Sequence, residues 1–194
     1  MKRISLLLLS LFISLTLYAQ DHLTFKGIPI DGPLSAFVEQ MKAAGFTLTL
    51  STTNGVAMEG TFAGFDDCTV LIVCTANSKT VWKVAVKLPV QNSWSSARYR
   101  YADFKDRFTD KYGKPSDCFE FFMSPYEEGD GYELQAIGLE KGHYSTYWQL
   151  PGGIIAVEIS ASNNTKGWVQ FTYEDNQGAS LKEMEQNRII NNDI

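Results

Sequence analysis

The fold is decided by residues 45–88, which read GFTLTLSTTNGVAMEGTFAGFDDCTVLIVCTANSKTVWKVAVKL. Within this stretch much of the apolar pattern follows a period of two, and β-branched and aromatic residues are frequent. Turn-forming pairs separate the apolar runs at Asn54-Gly55, Asp66-Asp67 and Asn77-Ser78. The pattern therefore predicts a meander of four strands over residues 46–51, 56–65, 69–75 and 80–88.

The last of these runs indicates how the sheet is covered. Lys83 and Lys87 point to one side of the strand, and Val84 and Val86 point to the other, because successive side chains alternate between faces. A strand with one apolar and one charged side is typical of a sheet that packs against other elements on a single face. The sequence thus predicts that the second face meets solvent.

Two helices are predicted, one ahead of this meander and one after it. The first spans residues 33–44 and ends at Gly45, which supplies a left-handed helix end. Its apolar face consists of Leu34, Phe37, Val38 and Met41. The second spans residues 94–112, between the capping Ser93 and the terminating Gly113. Its apolar stripe consists of Trp94, Ala97, Tyr101, Phe104 and Phe108.

Short strands are also predicted on either side of these elements. One covers residues 23–30, and a second meander follows the second helix over 118–123, 132–139, 143–150, 154–160 and 168–173. The predicted fold class is α+β, with antiparallel meander sheets packed on two helices. Two interpretations stay open: a tandem helix-plus-four-strand duplication, with repeats 23–90 and 91–175, or one chain with a long meander.

The two ends of the chain differ from the middle. Lys2 and Arg3, an apolar run over residues 4–18 and Ala19 have the layout of a signal peptide, predicted over residues 1–19. An uncleaved anchor is the alternative, although the run is short for a hydrocarbon core of about 30 Å. The leader predicts a periplasmic or secreted protein, with no membrane span after cleavage. Residues 20–180 form a single predicted domain, and residues 181–194 form a charged C-terminal tail that forms a weak helix or frays.

Composition narrows the partners of the chain. Its 194 residues are 44% hydrophobic, as in a globular protein, and carry 17 basic against 22 acidic residues. This acidic excess disfavours a nucleic-acid partner. The sequence contains no recognised catalytic, nucleotide-binding or metal-binding motif, so neither a cofactor nor a metal is expected.

The histidines and cysteines fit ordinary structural positions. His22 and His143 are predicted to lie at the surface, His22 as a mobile residue and His143 at a strand end. Cys68, Cys74 and Cys118 are interpreted as small buried hydrophobic residues. Cys68 and Cys74 cannot pair within one straight strand, whereas a disulfide from either of them to Cys118 stays open.

Aromatic residues give the candidate binding site, which consists of Tyr144, Tyr147, Trp148 and Trp168. Tyr144 and Trp148 share one face of their strand, and Tyr147 points the other way. An exposed aromatic face would bind a protein or a glycan, and the alternative is that these rings fill the core. A secreted hydrolase is the second hypothesis, with its carboxylates drawn from the acidic turns at Asp66, Asp67, Glu127 and Glu128.

The sequence carries two resemblances to known proteins. The segment LTFKGIPIDG at residues 23–32, Phe37, Gly45-Phe46, GTFAG at residues 60–64 and the helix end at 106–115 resemble a family of small uncharacterised exported proteins of the Bacteroidetes type. That resemblance implies export and no particular activity. The repeated helix-plus-meander order is also loosely similar to the architecture of beta-lactamase inhibitor protein, an analogy of fold alone. Together these observations predict an exported, soluble binding protein without catalytic activity.

Overall fold

The structure is a computed structural model that describes residues 22–163 and 166–193. The predicted signal peptide, residues 1–19, lies outside the described residues. Across the described ranges, no helix combines the length and the apolar character needed to cross a bilayer.

The first half of the chain builds a hairpin, a helix and a four-stranded meander. Its elements are β1 (Thr24–Phe25), β2 (Ile28–Pro29), α1 (Leu34–Ala43), β3 (Thr47–Thr52), β4 (Gly55–Phe62), β5 (Phe65–Cys74) and β6 (Val81–Lys87). Both the helix and the four meander strands confirm the prediction to within a few residues.

The second half also has a long helix followed by four strands, and it contains two additional helices but no hairpin. Its elements are α2 (Trp94–Tyr112), β7 (Asp117–Phe122), α3 (Glu133–Gly138), β8 (Gly142–Leu150), β9 (Gly153–Asn163), β10 (Lys166–Asp175) and α4 (Asn176–Asp193). Ser93 caps α2 by accepting a hydrogen bond from the Ser96 amide, as its sequence position predicts.

The two meanders form one antiparallel sheet of eight strands. Their order across the sheet is β3-β4-β5-β6-β10-β9-β8-β7, so the last strands of the two halves pair at the centre. In that central pair, Phe171 of β10 lies opposite Val86 of β6. The α+β class with antiparallel strands is therefore confirmed, and the second meander runs across the sheet in the reverse direction to the first.

Each strand places alternate side chains on the two faces of the sheet. The core face carries the buried side chains that pack beneath α1 and α2, among them Val70, Val86, Val157 and Phe171. Helix α2 rests on this face through aromatic contacts, such as the 4.7 Å separation between the ring centroids of Phe104 and Phe171.

The opposite side of the sheet, which we call the open face, carries the alternate residues. It includes Leu71, Lys83, Lys87, Glu158, Gln170, Tyr147 and Phe119. Leu71 and Phe119 are each 45% exposed. The open face therefore meets solvent at these positions, in agreement with the alternation of Lys83 and Lys87 with valines.

Two predicted strands have a different structure. Residues 23–30 form a hairpin instead of one strand, because Lys26 and Gly27 adopt positive φ angles of 50° and 80° and turn the chain. Residues 132–139 form helix α3 instead of a strand. The Leu134 side chain of this helix packs against Gly167 of β10, and a Cβ atom added at Gly167 would lie only 2.6 Å from it. The glycine therefore leaves room for the helix to approach the sheet.

The C-terminal segment is helical from Asn176, and Asp175 anchors it. The Asp175 carboxylate is buried and accepts hydrogen bonds from the amides of Gln177 and Gly178 at the start of α4. It also accepts from the Leu23 amide at 3.1 Å and lies 3.0 Å from Nδ1 of His22. His22 is thus held in a part-buried contact, in contrast to the mobile surface position predicted for it.

A buried hydroxyl pair links α2 to the sheet. The Tyr101 hydroxyl is hydrogen-bonded to the Thr146 hydroxyl on β8, and it donates to Glu120 on β7 at 3.2 Å. Tyr101 and Thr146 are both buried, and each hydroxyl has one further contact, Tyr101 with Glu120 and Thr146 with the Cys118 thiol at 3.4 Å.

We expect Tyr101→Phe to lower the free energy of unfolding by about 1–2 kcal/mol, because it removes the hydrogen bonds to Thr146 and Glu120 and leaves the buried Thr146 hydroxyl with only the weak Cys118 thiol contact. Urea unfolding followed by circular dichroism measures this loss. Tyr99→Phe is the matched control, since Tyr99 lies on the same helix and is 78% exposed. Equal stability of the two variants would show that the buried pair contributes nothing.

Candidate functional site

A pocket of about 420 Å³ opens on the open face, where β8, β9 and β10 lie side by side. Alternate residues of these strands line it, namely His143, Ser145, Tyr147, Glu158, Ser160 and Trp168. The strand register brings them together, with Ser145 opposite Glu158 and Trp168 opposite Ser160. Glu140, which follows α3, also lines the pocket. The pocket therefore joins carboxyl, hydroxyl, imidazole and aromatic groups.

Glu158 is one of the two carboxyl groups that line this pocket. It accepts a hydrogen bond from Gln170 Nε2 at 2.8 Å across the β9–β10 pair. Burial raises the pKa of Glu158 above its usual range, and the contact with Gln170 and the charge of Lys83 offset this only in part. The carboxyl group therefore takes up a proton more readily than an exposed glutamate.

Trp168 contributes an unsatisfied donor. Its indole Nε1 is buried and makes no hydrogen bond within residues 22–163 and 166–193. A buried donor without a partner costs about 1–3 kcal/mol. Lys87 Nζ lies 3.7 Å from the centroid of the Trp168 ring, so a cation–π contact holds the ring on the open face. An acceptor from a ligand would satisfy the indole N–H.

Aromatic rings extend the pocket toward the β7 edge. Tyr147 packs edge-on against Phe119 with 6.1 Å between ring centroids, and His143 lies 5.1 Å from Phe121. Phe119 and Phe121 remain substantially exposed on this edge strand. The polar pocket therefore lies beside exposed aromatic rings of the edge strand β7.

The structure separates the four aromatic residues that the sequence singled out. The side chains of Tyr147 and Trp168 lie on the open face and line the pocket, which Tyr144 also contacts although its ring points the other way. Tyr144 and Trp148 point to the core face, where the Trp148 indole donates to the Gly113 carbonyl at 3.0 Å. The predicted alternation is confirmed, and the rings of Tyr144 and Trp148 are built into the core. A binding surface on the open face therefore keeps only Tyr147 and Trp168.

The acidic turns lie in two different environments. Asp66 lies at the start of β5, because the turn falls at Ala63-Gly64 and not at the predicted Asp66-Asp67, and it accepts a hydrogen bond from the Thr61 hydroxyl at 2.7 Å. Glu128, in the loop after β7, forms an ion pair with Arg98 of α2 at 2.6 Å. Asp67 and Glu127 are exposed. These carboxylates therefore have separate partners, and Glu158 and Glu140 are the carboxyl groups that line the open-face pocket.

The cysteines lie outside the pocket lining. All three are free thiols; Cys68 and Cys74 are buried as predicted, whereas Cys118 is exposed on the edge strand β7. Burial raises the pKa of Cys68 and of Cys74, so both thiols stay protonated. Among the described residues, no group of three metal-ligating side chains comes together.

Sequence reasoning missed the polar part of the site. Glu158 alternates with the buried Val157 and Ile159, which signals a polar residue on the opposite face of a half-covered strand. Its contact with Gln170 depends on the pairing of β9 with β10, which the sequence does not specify.

No protein-family model, curated protein or solved structure matches this chain. The resemblance to exported proteins of the Bacteroidetes type therefore stays a prediction, as does the analogy with beta-lactamase inhibitor protein. Conclusions about function depend on the side chains that line the open-face pocket.

Proposed function

We propose that the protein is an exported, non-catalytic binding protein that holds a glycan in the open-face pocket. The observation that carries this proposal is made at Trp168, which lines the polar pocket and whose buried indole N–H has no partner among the described residues. A buried donor without an acceptor lowers the stability of the fold, and a ligand that supplies a hydrogen-bond acceptor to the indole N–H would explain why it is present.

The chemistry of the lining favours a ligand rich in hydroxyl groups. Ser145 and Ser160 both donate and accept, Glu158 accepts when ionised, and Trp168 donates. A sugar hydroxyl can meet all of these groups, because it is itself both donor and acceptor. The rings of Tyr147 and Trp168 can cover the less polar C–H faces of a sugar ring while their polar ends stay hydrated.

A protein partner is the second candidate. The exposed rings of Phe119 and Phe121 favour it, because aromatic side chains contribute strongly to protein interfaces. These residues lie on β7, an edge strand of the sheet, where another chain could also form backbone hydrogen bonds.

Trp168→Phe should weaken glycan binding by up to about tenfold, because it keeps an aromatic ring and removes only the N–H donor. Tyr147→Ala should weaken it further by removing one wall of the pocket. The measurement is isothermal titration calorimetry with soluble cello-, xylo-, chito- and malto-oligosaccharides. Trp82→Phe is the control, since it makes the same chemical change away from the pocket lining.

Three outcomes of this experiment would contradict the proposal. One is that no oligosaccharide binds at millimolar concentration, or that the Trp168 and Tyr147 variants bind like the unmodified protein. A second is the appearance of new reducing ends, which would favour the hydrolase hypothesis. A third is a protein partner from cell-envelope extracts whose capture requires Tyr147 and Trp168, in the absence of sugar binding.

The raised pKa of Glu158 gives the site a pH dependence. Because the pKa of Glu158 is higher in the folded than in the unfolded protein, protonation of this carboxyl group stabilises the fold. The stabilisation is fully present below the unfolded-state pKa, and it is lost as the pH rises through the folded-state pKa. Glu158→Gln keeps an acceptor for Gln170 and removes the titration. We therefore expect this variant to raise the thermal unfolding midpoint at pH 8, by an amount that shrinks toward pH 4.

The control for this pH series is Glu59→Gln, a change to an exposed carboxyl group on β4 of the same sheet. In calorimetric melting curves, the unfolding midpoint of Glu158→Gln should exceed that of Glu59→Gln at high pH only. Identical pH profiles for Glu158→Gln and the unmodified protein would show that Glu158 has an ordinary pKa.

Export is part of the same proposal and can be tested by itself. The basic start at Lys2 and Arg3, the apolar run and Ala19 support cleavage before Gln20. We expect protein recovered from the cell envelope or the medium to have the intact mass of a chain that begins at Gln20. A mass that retains Met1 would support the anchored alternative instead.

A further inference from the structure

A second groove lies on the other side of the sheet, between the N-terminal hairpin and α2. It has a volume of about 330 Å³. Thr24 to Gly27 form one wall, and Phe62 at the end of β4 with Ala63 of the following turn form a second. Side chains of α2 form the third, namely Phe104, Arg107, Phe108, Lys111 and Tyr112. Tyr173 of β10 also lines it. The groove therefore shares no residue with the open-face pocket.

Aromatic side chains make the interior of this groove apolar. Phe25 stacks on Phe62 with 5.4 Å between ring centroids, and it meets the edge of Tyr173 at 5.5 Å. Phe108 and Tyr112 face each other at 5.6 Å along α2. These contacts fix the rings in place, so the apolar surface is formed before any ligand arrives.

Three cations surround the aromatic interior, although the chain as a whole is acidic. Lys26 comes from the hairpin, and Arg107 and Lys111 lie one turn apart on α2. Arg107 is paired with Asp103 at 2.9 Å. Within the part of the chain that the structure describes, neither Lys26 nor Lys111 forms an ion pair with a carboxylate. Their ammonium groups lie over aromatic rings instead, Lys26 at 5.4 Å from the Phe46 centroid and Lys111 at 4.9 Å from that of Tyr112, so neither charge is neutralised by these contacts.

We propose that this groove binds an amphiphile with an anionic head and a single alkyl chain, such as a medium- or long-chain carboxylate. The alkyl chain lies against Phe62, Phe108 and Tyr112, which are partly exposed, and the head lies between Lys26 and Lys111. Apolar walls with a few convergent charges select a ligand that has an apolar body and one opposite charge. Free fatty acids and lipid headgroups share this chemistry, and the probes below distinguish them.

This site is independent of the proposed glycan site. It lies on the core-face side of the sheet, and its residues come from β1, the turn that precedes β2, the end of β4 and the turn that follows it, α2 and β10. Loss of one activity therefore leaves the other in place.

The test is calorimetric titration of the protein with dodecanoate below the concentration at which it forms micelles. One molecule should bind per chain, and added salt should weaken binding because it screens the head from the cations. Acetate has the same head without the chain, and dodecyltrimethylammonium has the same chain with the opposite charge. Neither of them should bind. Lysophosphatidate and dodecanoate, compared directly, distinguish a lipid headgroup from a free carboxylate.

Variants of exposed residues separate binding from folding. Lys26→Gln and Lys111→Gln should each weaken dodecanoate binding by about two- to fivefold, as the loss of an exposed ion pair predicts. Thr24→Trp should abolish binding by filling the groove from its exposed edge. Lys166→Gln, a change to an exposed lysine at the start of β10 and outside the groove lining, should leave binding unchanged.

The proposal is overturned by any of three results: no binding of dodecanoate, equal binding of dodecyltrimethylammonium, or unaltered binding by Thr24→Trp and both lysine variants. Circular dichroism confirms that each variant is folded, so a loss of binding is attributed to the groove itself.

Discussion

The pairing of β6 with β10 is the constraint on which the rest of the structure depends. It joins two meanders that run in opposite directions across the sheet, and its register sets Val86 against Phe171. A slip by one residue would turn the apolar side chains of one half toward solvent. Because the register holds, both halves bury their apolar residues under the same helices. The open face is then continuous across all eight strands.

Local sequence patterns predict much of this fold. The two main helices follow from apolar spacing, from the Ser93 cap and from the glycines at their ends. The predictions are wrong where contacts with residues distant in the sequence determine the local structure. Leu134 belongs to a helix because Gly167, far along the chain, leaves room for it. The turn at Lys26 requires a positive φ in a residue that gives no sign of it in the sequence.

The candidate site was predictable only in part, for a related reason. Alternation along β8 separates Tyr147 from its neighbours Tyr144 and Trp148, but it does not tell which face the helices cover. Glu158 and Trp168 meet in one pocket through the register of β9 and β10, a long-range property of the sheet. The alternation within one strand therefore shows which residues share a face of the sheet. Which residues of other strands lie beside them on that face depends on the strand order.

Strand order also has a consequence for the growing polypeptide. Translation of β6 ends at Lys87, and its partner β10 begins only at Lys166. For the seconds that ribosomes need to add the intervening residues, the nascent chain displays a bare, β-rich edge. Bare edges recruit strands from other molecules. A holdase that shields extended segments would keep the first meander monomeric until the final strand emerges.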